Sequence, residues 1–135
     1  MSYSLPFKNI SIEPTDIVFL TDTTNVYIYG DADVALYHIE AKEPTRHRVD
    51  TLVNDMLDRL YTWHSDKPLL VIVHLTRFSW SPYVRGRFQD AIHNLPEDKT
   101  GRIAVVLPTS PLSHIIQLFV QTRRQNNIAI NIFTD

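Results

Sequence analysis

The stretch Leu69-Leu70-Val71-Ile72-Val73-His74-Leu75, followed by Thr76-Arg77-Phe78-Ser79-Trp80-Ser81-Pro82, decides how the chain is read. Seven mostly apolar, β-favouring residues without polar alternation predict a strand buried on both faces, as in the middle of a parallel or mixed sheet. The polar and aromatic residues after it read as a loop. Ser81-Pro82 then opens a helical pattern, with serine as N-cap and proline at the first helical position. Open α/β sheets place their working residues where a strand delivers a loop to a helix N-terminus.

Downstream, the helix predicted from Ser81 to Asn94 carries Val84, Phe88 and Ile92 as its inner stripe. Ile103 to Leu107 is another continuous apolar strand. Ser110-Pro111 opens a third helix with Leu112, Ile115, Ile116 and Phe119 inward, and Ile128 to Phe133 is the last strand. Upstream, Val49, Leu52, Val53, Met56, Leu57 and Leu60 fall on one stripe and predict a helix from about Thr45 to about Trp63. Before it come three close β-rich runs: Ile17 to Leu20, Val26 to Tyr29 and Val34 to Ala41. Turn signals at Thr21 to Asn25 and Gly30 to Asp33 separate them, so an antiparallel meander is expected. In the third run Leu36 and His38 alternate with Tyr37 and Ile39, which predicts one mixed, half-exposed face. Residues 1–16, with Pro6 and Pro14, read as an irregular lead-in, with Asn9 to Ile12 as a short edge strand.

The order is strands, then helix–strand–helix–strand–helix–strand. It predicts one α/β domain over residues 1–135. Its mixed sheet has about four to six strands, antiparallel at the start and parallel in the βαβ second half, with about three helices mainly on one face.

Composition narrows the function classes. The 135 residues are 44% hydrophobic and 21% charged, which suits a globular core rather than a disordered segment. There is no cysteine, which excludes disulfides, thiol nucleophiles and thiolate metal sites. The first residues show no basic stretch followed by an apolar one, and no apolar run approaches the roughly 20 residues of a membrane span. A cytoplasmic protein without membrane contact is expected. Residues 1–68 hold 6 Lys+Arg and 11 Asp+Glu, and residues 69–135 hold 7 and 4, so net charges of −5 and +3 make up the −2 of the chain. Opposite halves of this kind can help two copies or a partner dock. No dense basic run of the kind used on nucleic acid occurs.

Chemistry-bearing motifs are few. With only Gly30, Gly86 and Gly101, the chain has no glycine-rich phosphate loop, and no G-x-S-x-G is present. No cofactor is expected. None of the six histidines (His38, His47, His64, His74, His93 and His114) forms a metal-spaced pair within one helix, so no metal site is expected. His74 reads as a hydrogen-bonded structural histidine. Ser81 and Ser110, as N-caps at the carboxyl edge of the sheet, are candidates to hold an anion. Phe78 and Trp80 are either loop anchors for a partner or a cover over the core. Arg85 and Arg87 lie near Ser81 but on different faces of their helix.

At Lys67-Pro68-Leu69-Leu70-Val71-Ile72-Val73-His74-Leu75, Ser81-Pro82-Tyr83-Val84-Arg85, Arg102-Ile103-Ala104-Val105-Val106 and Ile132-Phe133-Thr134-Asp135, the chain resembles the STAS superfamily. More narrowly it resembles STAS-like proteins grouped with the sporulation anti-sigma-factor antagonist, over roughly residues 24–135. The resemblance implies a non-enzymatic regulatory module that docks a protein partner and is controlled by phosphorylation at the start of the helix after the central strand. By position that site is Ser81, with Ser79 and Thr76 as neighbours. Where the antagonists carry Asp-Ser-Ser-Gly, this chain has Ser79-Trp80-Ser81-Pro82, and His74 stands where their strand has aspartate.

The leading expectation is thus a protein-interaction module that is not an enzyme, docking through residues 76–87. Thr76, Ser79, Trp80, Ser81 and Arg85 are its partner-binding or phosphorylation candidates, and a homodimer is a further possible assembly. A binder of a small apolar or anionic ligand is the alternative, and a hydrolase using His74 with a nearby serine is the third reading.

Overall fold

The computed structural model describes residues 3–4, 11–40, 45–63, 67–76, 81–109, 124–125 and 127–134. The main sheet contains β1 (Asp16–Thr21), β2 (Thr24–Tyr29), β3 (Val34–Ile39), β4 (Leu69–Leu75), β5 (Thr100–Leu107) and β6 (Asn127–Thr134) in chain order, with the two-residue strand Arg124–Gln125 beside β6. β1, β2 and β3 pair antiparallel, as expected for the meander. β3, β4, β5 and β6 pair parallel, as expected for the βαβ half, and Arg124–Gln125 returns antiparallel. Counting that short strand, the sheet has seven members, one more than the sequence predicts. Tyr3–Ser4 and Ser11–Ile12 pair as a separate two-stranded sheet, so the short strand expected in the lead-in pairs there and not with the main sheet.

Two α-helices occur among the described residues: α1 (Arg46–Thr62) and α2 (Pro82–His93). The third expected helix, opened by Ser110-Pro111, falls on residues 110–123, outside the described residues. α1 starts where Thr45 accepts a hydrogen bond from the backbone N–H of Arg48, satisfying one of the first-turn donors. Its stripe Val49, Val53, Met56 and Leu60 is buried, with Leu52 and Leu57 packed alongside. Ala91 and Ile92 of α2 join the same cluster, together with Tyr37, Ile39, Val71, Val73, Ile103 and Val105 from the strands. Both helices therefore cover one face of the sheet.

β4 is buried on both faces. Val71 and Val73 point into the helix-side core, while Ile72 belongs to a second cluster with Tyr29, Leu36 and Val106 on the other face. Leu36 is fully buried, so the face that alternation predicts to be half exposed opens to solvent at His38 but not at Leu36. β5 begins three residues earlier than Ile103 because Gly101 pairs with Leu69. A Cβ at Gly101 would meet the Leu69 carbonyl oxygen at 3.0 Å, so the two backbones approach closely there. At the outer edge, β1 exposes Phe19.

Two polar clamps position α1. Tyr37 donates its buried hydroxyl to Asp55 Oδ2 at 2.6 Å, and Arg59 Nε donates to the same oxygen at 2.8 Å. Burial, reinforced by the Asp55 carboxylate, holds the Tyr37 phenol far above its ordinary pKa, so it stays a donor. At the other end, Trp63 Nε1 donates to Asp33 Oδ1 at 2.7 Å. Asp33 sits at φ 54°, ψ 49°, the left-handed region that aspartate tolerates better than most residues.

Replacing Asp33 with alanine removes the acceptor for Trp63 and strains the left-handed position, so a loss of about 1–3 kcal/mol is expected in urea unfolding. Asp33→Asn keeps both features and should stay within about 0.5 kcal/mol of wild type. Equal losses for the two variants would refute this account of the clamp. Among the described residues the buried hydroxyl of Tyr29 has no hydrogen-bond partner. Tyr29→Phe is therefore expected to leave stability unchanged or raise it by up to about 1 kcal/mol, and a clear loss would mean that the hydroxyl is satisfied by water.

Candidate functional site

The carboxyl edge of β3 and β4 gathers most of the chemistry. β4 ends at Leu75, and Thr76 ties the chain back to β3, its backbone N–H and its hydroxyl both donating to the Ile39 carbonyl at 3.1 Å. The hydroxyl of this candidate is thus committed to holding two strand ends together. Ser79, Trp80 and the neighbouring Arg77 and Phe78 lie outside the described residues, as does Ser110.

Ser81 caps α2 as its sequence predicts. Its Oγ accepts from the Val84 N–H at 3.2 Å, and Pro82 occupies the first helical position. This is the hydrogen bond its side chain makes. It does not reach His74, and Ser79, another serine near that histidine in sequence, lies outside the described residues. Arg85, one turn into α2, is exposed.

The sequence signal at Arg87 was incomplete. The sequence places it only near Ser81, on a different helix face from Arg85, whereas Arg87 Nε donates to Asp50 Oδ1 of α1 at 2.9 Å and its Nη2 to Asn54 at 3.3 Å. The Tyr83 hydroxyl donates to the same Asp50 oxygen. The Arg46 guanidinium lies 4.8 Å above the Tyr83 ring, a cation–π contact. Asp50 therefore joins the N-terminal halves of α1 and α2. The Tyr83 hydroxyl first, and then the Arg87 guanidinium, hold the Asp50 carboxyl below its ordinary value of 3.8. In return, the carboxylate pushes the Tyr83 phenol up.

On the face opposite the helices, the same edge carries a cluster that sequence reading missed. His38 and His74 are register partners on β3 and β4. Their Nδ1 atoms lie 3.1 Å apart, with ring centroids at 5.1 Å and the rings tilted by 45°. His38 Nε2 lies 3.2 Å from Glu40 Oε1. An ionised carboxylate only accepts, so Nε2 of His38 donates to Glu40, and one hydrogen is shared between the two Nδ1 atoms. The expectation of a hydrogen-bonded His74 holds, and a second histidine is among its partners. Both are next-to-last in their strands, which is the signal that parallel pairing brings them together. Beside them, Asp22, Thr23, Asn25, Tyr27, His38 and Glu40 line an open cleft of about 240 Å³. Asp22 is bridged to Arg48 at 2.8 Å, a contact that lowers its carboxyl pKa.

No family model, curated protein or solved structure matches the chain.

The depressed Asp50 carboxyl has a pH consequence. A carboxyl with a lowered folded pKa adds stability that is present above its ordinary value and is lost as pH falls through the folded value. Asp50→Asn should therefore unfold at lower urea than wild type at neutral pH, and the gap should shrink as pH falls below 3.8. A gap independent of pH would show that the carboxylate's charge is not what joins the helices.

Proposed function

We propose that the chain is a non-enzymatic, STAS-like regulatory module of the anti-sigma-factor-antagonist type. It docks a protein partner through the loop after β4 and the first turns of α2. The observation that carries this reading is the exposed Arg85 on a helix start braced against α1 by Tyr83, Arg87 and Asp50. A surface that presents a charged side chain from a fixed backbone loses little conformational entropy on binding, which favours docking. The commitment of the Ser81 and Thr76 hydroxyls to capping and strand-end bonds supports positioning rather than nucleophilic attack.

Phosphate on Ser81 fits the same reading. A dianion at a helix N-terminus is locally stabilised by the free N–H groups and the helix dipole. It would also reverse the charge that a partner meets beside Arg85.

Affinity capture with wild type against a Trp80→Ala, Arg85→Ala double variant tests the docking surface. At least one protein held by wild type should be depleted about tenfold or more by the double variant, corresponding to about 1.4 kcal/mol or more. Identical capture profiles would overturn the reading.

A further inference from the structure

We propose that His38 and His74 form a two-point chelate for a divalent transition-metal ion such as Zn2+, Ni2+ or Cu2+, on the sheet face away from the helices. This site is independent of the docking reading. His38 and His74 alternate with Tyr37, Ile39 and Val73, which point into the helix-side core.

The geometry carries the inference. Metal–imidazole bonds are about 2.0–2.1 Å long, so two nitrogens on one tetrahedral ion stand about 3.3–3.4 Å apart, and two at a right angle about 2.9–3.0 Å. The observed Nδ1–Nδ1 separation of 3.1 Å falls between these values. With centroids 5.1 Å apart the two Nδ1 atoms point nearly at each other, so rotation of both rings would turn their lone pairs toward an ion shared beside the Nδ1–Nδ1 line.

The surroundings favour a cation as well. Glu40 fixes the tautomer of His38 through Nε2, the carboxylate–histidine arrangement that orients metal ligands and raises their basicity. Glu40 places a carboxylate at the adjoining cleft, where the Asp22 carboxylate is already paired to Arg48. Imidazole donors without a ring of oxygen ligands suit these metals rather than Mg2+ or Ca2+.

The proton balance is simple. On binding, the ion displaces the hydrogen that lies between the two Nδ1 atoms. Among the described residues no group of three His, Cys, Asp or Glu side chains is arranged to hold a metal ion. The remaining positions would go to water or an external donor. The site would thus exchange its ion readily and leave room for a second ligand in the cleft.

Calorimetric titration of the full chain with ZnCl2 at neutral pH tests this. Wild type should bind one ion per chain. His38→Ala and His74→Ala should each weaken binding at least tenfold, Glu40→Gln about tenfold, and His93→Ala should leave it unchanged. Cu2+ electron paramagnetic resonance on wild type decides the matter even if a variant fails to fold, because two imidazole nitrogens in the equatorial plane give a defined superhyperfine pattern. Absence of binding by wild type, unchanged affinity in a folded His38→Ala, His74→Ala variant, or a Cu2+ spectrum without nitrogen coupling would each overturn the site.

Discussion

The parallel register of β3 on β4 is the constraint from which the rest follows. It sets Leu36 against Ile72, Tyr37 against Val73 and His38 against His74. Because side chains alternate across a strand, a slip of one residue would exchange the two faces. Tyr37 would leave the helix-side core, and the His38 imidazole would enter it. Apolar burial enforces the register. Val49, Val53, Met56 and Leu60 of α1 are buried against this sheet, at about 1.5–3 kcal/mol for each fully buried large side chain. The hydrogen bonds of Tyr37 to Asp55 and Trp63 to Asp33, each to a carboxylate, contribute about 1.5–3 kcal/mol apiece, less than the four buried side chains together. Burial thus decides that α1 packs, and the polar clamps decide how it lies.

The two helices start side by side at one edge of the sheet. Each start presents unsatisfied N–H groups and the positive end of a dipole, which disfavour each other's approach. Asp50 sits between them and accepts from both Tyr83 and Arg87. One carboxylate thereby ties the Tyr83 hydroxyl and the Arg87 guanidinium of α2 to α1. Arg87 is spent on this internal bond, while Arg85, two residues earlier, is left facing solvent.

Much of the architecture was legible in the sequence because it is written in short periods. β4 matches its predicted bounds because seven apolar residues without alternation fit few other environments. α1 and α2 lie within a residue or so of their predicted ends, since a threonine or serine cap marks each start. The misses share a different cause. His38 and His74 are 36 residues apart, and nothing local to either states which residue faces it across the sheet. The role of Arg87 was not legible because its partner lies on the other helix. Leu36 was expected to be half exposed because alternation names the two faces of a strand but not what covers them. Ser81 was legible as a cap, since that role depends only on the three residues after it.

The strand order has a consequence for how the molecule is made. Each strand of the main sheet from β1 to β6 pairs with its neighbour in the chain. In a doubly wound sheet, by contrast, the chain returns to the middle and later strands flank earlier ones on both sides. Here every new strand–helix unit adds to an edge that already exists. The loops to be closed stay short relative to the chain, which lowers the entropic barrier to folding. The meander and α1 can therefore settle while later residues are still being synthesised, with β4 completing their shared core on arrival.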